Sequence, residues 1–120
     1  MADQASTTSE RGVTPELLAM IATRFRALAE PARLAVLHAL KTGPLTVTDL
    51  VEKTGLGQGN LSKHLQNLHV NGFVTRTRKG LFVYYALADN DVLALCDMMC
   101  GRLERDLASA STTVTGRRAS

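Results

Sequence analysis

The hydrophobic repeat of the chain shortens from about 3.6 residues to 2 at Asn71-Gly72, and this change restricts the accessible folds more than any other feature. Before it, apolar residues recur at three- and four-residue spacing, as in amphipathic helices. After it come FVTRTR and LFVYYAL, two runs of β-branched and aromatic residues separated by Lys79-Gly80. Such runs predict a β-hairpin, so the chain should consist of helices, one hairpin and a last helix.

Two helices are predicted ahead of this change. Thr14, Pro15 and Glu16 supply a capping hydroxyl, a proline in the first turn and an acid near the positive end of the helix dipole. The first helix should run through LLAMIATRFRALAE. Pro31 interrupts it and begins a second helix, PARLAVLHALKTG, which Gly43-Pro44 ends.

Two shorter helical segments follow, LTVTDLVEKTGL and GQGNLSKHLQNLHVNG. Thr46 or Thr48 can cap the first segment, and the second has a narrow stripe formed by Leu61, Leu65 and Leu68. The linker 54–57 is a tight turn that contains two glycines. Two short helices across such a turn match the helix-turn-helix, whose second helix enters the major groove of DNA.

Charge is distributed unevenly, although the net charge of +3 is modest. Between Glu52 and Asp89 there is no acidic side chain, whereas basic residues occur throughout that stretch. This distribution favours a polyanionic ligand, and the alternatives are chance or an ordinary solvated helix face. We expect major-groove contacts from Gln58, Asn60, Ser62 and Lys63, and contacts to the flanking backbone from Arg76, Arg78 and Lys79.

Length and composition set further bounds. A chain of 120 residues fits one domain, predicted at 13–108 between disordered tails at 1–12 and 109–120. With 45% hydrophobic residues, 4% aromatic residues and no Trp, the fold should be mainly helical. Two cysteines cannot make a disulfide framework, the polar start has no signal peptide, and no apolar run could span a membrane. We therefore expect a cytoplasmic, reduced protein.

The motifs ALA-x-P-x-RL, LSKHL and G-x-x-x-YYxL, within residues 14–107, resemble the ArsR/SmtB family of metal- and metalloid-responsive repressors. The resemblance implies a winged helix-turn-helix of order α-α-α-α-β-β-α, a homodimer formed through the first and last helices, and repression that ligand binding releases. Its partner would be a double-stranded inverted-repeat operator. At the start of the recognition helix, Gly57 replaces the family's usual Ser.

Two sensor sites that the resemblance implies lack their ligands here. Arsenite-type members open the first helix of the helix-turn-helix with a Cys-x-Cys pair, but this chain has Thr46 and Thr48 there, and hydroxyls bind soft metals poorly. Zinc-type members have an Asp and a His, then a His and a Glu, on the last helix. Asp89 and Asp91 roughly match the first pair, whereas the second is replaced by Arg102 and Arg105, which cannot ligate.

Cys96 and Cys100 are the only cysteines, and they lie on the apolar arc of the last helix. Their spacing puts the Cβ atoms about 6 Å apart on one face, where two thiolates can bind one thiophilic ion such as As(III), Cd(II) or Zn(II). A third ligand must come from the partner subunit, the N-terminal region or solvent. Packing alone, and thiol oxidation, persulfidation or an intersubunit disulfide, are the alternatives.

The sequence predicts no enzyme, because no nucleophile-base pair or phosphate-binding glycine loop is recognisable. His64 is expected to be a half-buried packing or phosphate-adjacent residue, and no histidine is spaced to join the cysteines. A different class also fits the sequence: a protein-interaction module that keeps the winged-helix fold without binding an operator.

Overall fold

The computed structural model describes residues 12–113, with side chains to residue 110. It contains five α-helices and three short strands in these residues. The elements are α1 (Pro15–Leu28), α2 (Pro31–Ala39), β1 (Leu45–Thr46), α3 (Val47–Thr54), α4 (Gln58–Val70), β2 (Val74–Lys79), β3 (Phe82–Leu87) and α5 (Asp91–Thr113). A 3₁₀ turn, Leu40–Thr42, follows α2. The predicted order of helices and hairpin is confirmed.

The helix starts follow the capping signals in the sequence. Thr14 Oγ1 accepts a hydrogen bond from the N–H of Leu17 at 3.0 Å, and Pro15 is the first residue of α1. α1 ends at Leu28, and Pro31 begins α2. Proline is tolerated at the first helical position because that residue has no intrahelical N–H bond to lose.

The chain divides into two compact units, the first ending at Leu87 and the second beginning at Ala88. The core of the first unit consists of aliphatic side chains from α2, the 3₁₀ turn, α3 and α4. Seven of them are 2% exposed or less: Val36, Leu37, Leu40, Leu50, Leu61, Leu65 and Leu68. This burial confirms the predicted leucine stripe of α4.

The three strands form one antiparallel sheet in the order β1-β3-β2. β2 and β3 are the predicted hairpin, in which Lys79 pairs with Phe82 and the turn is Gly80-Leu81. Gly80 has φ +62°, as a tight two-residue hairpin turn requires at its first position. β1 was not predicted from the sequence, and its two residues pair with Tyr84 and Tyr85 of β3.

The second unit contains α5. Asp89 Oδ1 accepts the N–H of Asp91 at 2.9 Å at the start of this helix. α5 continues to Thr113, whereas the sequence predicted a disordered tail from residue 109. Residues 109–113 are therefore helical. The N-terminal tail through residue 11, and the C-terminal tail from 114, lie outside the described residues.

None of the helices described between residues 12 and 113 has the length and hydropathy that crossing a membrane requires.

Candidate DNA-binding surface and sensor cysteines

The helix-turn-helix consists of α3, the linker 55–57 and α4. α3 ends at Gly55, which has the left-handed conformation with φ +75° that favours glycine. Thr54 Oγ1 donates to the carbonyl of Leu50 at 2.7 Å and accepts the N–H of Leu56 at 3.2 Å. These two bonds hold the linker against the end of α3.

α4 begins at Gln58, and its N-cap is Gly57, which has no side chain to cap the helix. The buried leucine stripe faces the core of the first unit, which directs the opposite face of α4 to solvent. All four residues that were predicted to contact bases are exposed on this helix: Gln58, Asn60, Ser62 and Lys63. The structure therefore makes these side chains accessible together along the first two turns.

The hairpin residues that were predicted to contact the backbone lie on two faces. Arg76 and Arg78 share one face of β2 with the buried Val74 because alternate side chains of a strand point the same way. Lys79 lies on the opposite face, with its Nζ 5.8 Å from the centroid of the Tyr84 ring. All three cations are exposed, but only the two arginines form a pair on one face.

The cations of α4 and the hairpin are electrostatically unopposed within the part of the chain that the structure describes. No carboxylate lies between Glu52 and Asp89 in the sequence. The salt bridge present in the described residues joins Arg102 to Asp106 on α5, at 3.4 Å. Lys63, Arg76 and Arg78 thus remain available to a polyanion.

A hydrogen bond that was not predicted from the sequence joins α2 to α4. Arg33 Nε donates to His64 Nδ1 at 3.1 Å, and Arg33 Nη1 donates to the carbonyl of Ala27 at 3.3 Å. His64 is half-buried, as predicted, and it faces Arg33. Because Arg33 and His64 are 31 positions apart, no local sequence pattern indicated the bond.

The two cysteines occupy one face of α5. Cys96 is half-buried and Cys100 is exposed. Cys100 Sγ donates to Glu104 Oε2 at 3.7 Å. The charge of Glu104 raises the pKa of the Cys100 thiol, with smaller contributions from desolvation, from this hydrogen bond and from Asp97.

A complete metal site is not formed by these residues within one chain. No group of three or more His, Cys, Asp or Glu side chains in the described residues is arranged to hold a metal ion. Cys96 and Cys100 could therefore supply two ligands at most, and soft ions in proteins usually take three or four.

Two helices joined by a glycine turn and followed by a two-stranded hairpin define a winged helix-turn-helix, a class of DNA-binding protein. Residues 30–76 match the family model described as bacterial regulatory protein, arsR family. The chain belongs to this family, whose members are DNA-binding transcriptional regulators and not enzymes.

Three relatives support this assignment. The HTH-type transcriptional regulator NmtR of Mycobacterium tuberculosis is 42% identical over 79 residues, which are 66% of each chain. The transcriptional repressor SmtB homolog of Synechocystis is 37% identical over 71% of this chain and 68% of its own. The arsenical resistance operon repressor of Bacillus subtilis is 37% identical over 67% of this chain and 77% of its own.

Solved structures agree on the fold. Rv0081 of M. tuberculosis superposes with a TM-score of 0.73 at 31% identity, covering 81% of this chain and 98% of that one. The homodimeric winged helix-turn-helix DNA-binding domain of Mb0332 from Mycobacterium bovis gives a TM-score of 0.66 at 30% identity, covering 87% and 91%.

Proposed function

We propose that this chain is a ligand-responsive transcriptional repressor that binds an inverted-repeat operator. The observation that carries the proposal is the exposed set of side chains on the polar face of α4 and on the arginine face of β2. It combines hydrogen-bonding side chains with unopposed cations: Gln58, Asn60, Ser62, Lys63, Arg76 and Arg78. Amide and hydroxyl groups can read base edges, while the cations bind phosphates. Lys79, on the other face of β2, would contact the backbone flank.

The proposed binding unit is a homodimer formed through α1 and α5. α1 exposes large apolar side chains, among them Leu18, Met20 and Phe25. Its residues Leu17, Met20, Ile21 and Arg24 line a shallow depression of about 170 Å³. α5 exposes a second series: Leu95, Met98, Met99, Leu103 and Leu107. Apolar faces of this extent favour burial against another surface. Two copies related by a two-fold axis would match the two half-sites of an inverted repeat.

Selection from random-sequence DNA tests this function. Purified wild-type protein is incubated with a duplex library at low salt and without inducer, and the bound duplexes are sequenced. We expect an inverted repeat with half-sites about one helical turn apart, and a dimer on each duplex. Failure to enrich any sequence, with no mobility shift of the chain's own promoter fragment, would instead support the protein-interaction module.

We further propose that a thiophilic metal or metalloid bound to Cys96 and Cys100 releases the operator. Both thiols lie on one face of α5, and a relative is named for arsenical resistance. Since residues 12–110 of one chain hold no complete site, a third ligand must come from the partner subunit, the N-terminal region or solvent. As(III), Cd(II) and Zn(II) are the candidate ions.

Thiol chemistry is the alternative inducer in the same fold. Oxidation, persulfidation or an intersubunit disulfide could use the same two cysteines. The raised pKa of the Cys100 thiol opposes both chemistries to the same extent, because the thiolate is the reactive form and also the metal ligand. The metal proposal includes a cytoplasmic location, because thiols stay reduced there and can bind the ion.

A further inference from the structure

We propose that Arg33 and His64 are a positioning pair that sets the rotation of α4 about its own axis, and with it the direction of the DNA-reading face. The inference rests on the proposed operator binding. It adds to that function two residues that would act by orienting α4 and not by contacting DNA. It is carried by the geometry of one guanidinium group that joins three helices.

Arg33 lies in the first turn of α2 and uses two of its nitrogen atoms. Nε donates to His64 Nδ1 on α4 at 3.1 Å, and Nη1 donates to the carbonyl of Ala27 in the last turn of α1 at 3.3 Å. Both bonds are partly buried. A planar fork with fixed donor directions can satisfy both acceptors only when α1, α2 and α4 keep their relative positions.

The bond with Arg33 adds to the apolar contacts of α4 a directional restraint that those contacts do not supply. Leu61, Leu65 and Leu68 form a narrow stripe, and burial of apolar surface has no directional preference. A hydrogen bond to an imidazole nitrogen weakens steeply when its angle changes. Successive helical residues are about 100° apart, so turning His64 away from Arg33 also turns the neighbouring Lys63.

The bond also determines which ring nitrogen of His64 accepts. A guanidinium only donates, so Nδ1 is the acceptor, and in this hydrogen bond the ring N–H lies at Nε2. Asn offers Oδ1 close to the position of Nδ1 and can accept the same bond. Phe fills a similar volume and cannot accept it. At position 33, Lys keeps the charge but lacks the fork.

Two DNA probes separate positioning from general binding. One is a duplex of about 30 base pairs recovered by selection with the wild-type protein, and the other is a scrambled duplex of the same length. The measured quantity is the ratio of the two affinities at one salt concentration. A recognition helix turned out of register loses base contacts and retains much of its phosphate attraction, so the ratio falls while scrambled-duplex affinity persists.

We expect His64→Phe and Arg33→Met each to lower this ratio about tenfold, with scrambled-duplex affinity within about twofold of wild type. His64→Asn should stay within about threefold of wild type, and the double variant should be no worse than either single one. His38→Phe is the matched control, since His38 is an exposed histidine of α2 whose Nδ1 lies 2.9 Å from the carbonyl of Leu34 on its own helix.

Nitrogen NMR of the imidazole supplies a readout without DNA. The expected spectrum of His64 shows the Nε2–H tautomer, and an Nδ1–H tautomer would overturn the pair. So would an unchanged affinity ratio in folded His64→Phe. If that variant does not fold, Arg33→Lys takes its place and should lower the ratio as well. Should the wild-type protein select no DNA sequence, the proposed function itself fails and the inference fails with it.

Discussion

Thr46 and Asp49 cap the start of α3 reciprocally. Thr46 Oγ1 accepts the N–H of Asp49, and Asp49 Oδ2 accepts the N–H of Thr46, both at 3.1 Å. This capping box satisfies two backbone groups at the point where β1 ends and the helix-turn-helix begins. A threonine that replaces a sensor thiol of arsenite-type family members therefore has a structural task here.

Removing that hydroxyl should destabilise the protein measurably. We expect Thr46→Ala to lower the free energy of unfolding by about 1 kcal/mol, because the N–H of Asp49 loses its acceptor. Thr48 is exposed two residues further on and provides the matched control. Thr48→Ala should change the free energy by less than about 0.5 kcal/mol. The two free energies are measured by urea unfolding. An equal decrease in the free energy of unfolding of both variants would contradict the capping role of Thr46.

Local signals predicted the elements that depend on local chemistry. Caps at Thr14 and Thr46, proline at 31 and glycine at 55 and 80 each constrain the backbone within a few residues, so the helices and the hairpin could be assigned. β1 was missed because two residues carry no period, and its pairing with Tyr84 and Tyr85 is distant in the chain. The last residues of α5 were missed because residues 109–113, SASTT, are small and polar and carry no apolar period.

In the candidate site, too, the features set by local sequence could be predicted and those set by tertiary contacts could not. Exposure of the polar face of α4 followed from the leucine stripe on its other side, so the base-reading residues could be proposed from the sequence. Lys79 lies on the opposite face from Arg78 because β2 extends through Lys79 and the turn is Gly80-Leu81, whereas the sequence predicted a turn at Lys79-Gly80. The bond between Arg33 and His64 required the packing of α2 on α4. Tertiary contacts of this kind have no local sequence signature.

Phosphate contacts should be visible in the salt dependence of operator binding. We expect Lys63→Ala and Arg78→Ala each to weaken binding about tenfold and to reduce the slope of log affinity against log salt by about 0.9. Each substitution removes one cation from a surface without local carboxylates. Lys41→Ala is the control, since Lys41 is exposed in the 3₁₀ turn outside that surface. Equal affinities and slopes in all three variants would exclude the proposed surface.

A charge on the exposed face of α1 should separate the subunits. Phe25 is 55% exposed, and in the proposed homodimer the partner covers it. Phe25→Glu would place an unpaired carboxylate in that interface, so we expect sedimentation equilibrium to show monomers at concentrations where wild type is dimeric. Leu81→Glu is the control, since it also replaces an exposed apolar side chain by a carboxylate. Leu81 is 90% exposed at the hairpin turn, outside the proposed interface, so this variant should remain dimeric. A dimeric Phe25→Glu protein would place the interface elsewhere.

Glu104 should control the ionisation of Cys100. Because the carboxylate of Glu104 raises the pKa of this thiol, Glu104→Gln should lower that pKa. At a fixed pH below the pKa of the thiol, the thiolate fraction of Cys100 should then be larger in Glu104→Gln. In a Cys96→Ser background, the rate of alkylation by iodoacetamide is measured across pH. We expect the midpoint of this rate profile to move to lower pH. Glu52→Gln in the same background should leave the midpoint unchanged, and a shift to higher pH in Glu104→Gln would contradict the assigned cause.

The inducer can be identified on the operator complex of the reduced protein. As(III), Cd(II) and Zn(II) are titrated into separate samples, and a persulfide donor and peroxide are tested apart from them. We expect a thiophilic ion to release the wild-type protein, and Cys96→Ser and Cys100→Ser each to abolish release, since a hydroxyl is a poor ligand for a soft ion. Both variants should bind the operator as tightly as wild type when no inducer is present.

The pattern of release separates the remaining interpretations of the two cysteines. Release by persulfide or peroxide and not by any ion would assign them to thiol chemistry. Normal release of both serine variants by the effective ion would leave the cysteines as packing residues of α5 and move the sensor site to other residues. Loss of release in only one variant would mean that only one of the two thiols binds the ion. The metal proposal requires both, because each chain offers only these two thiols.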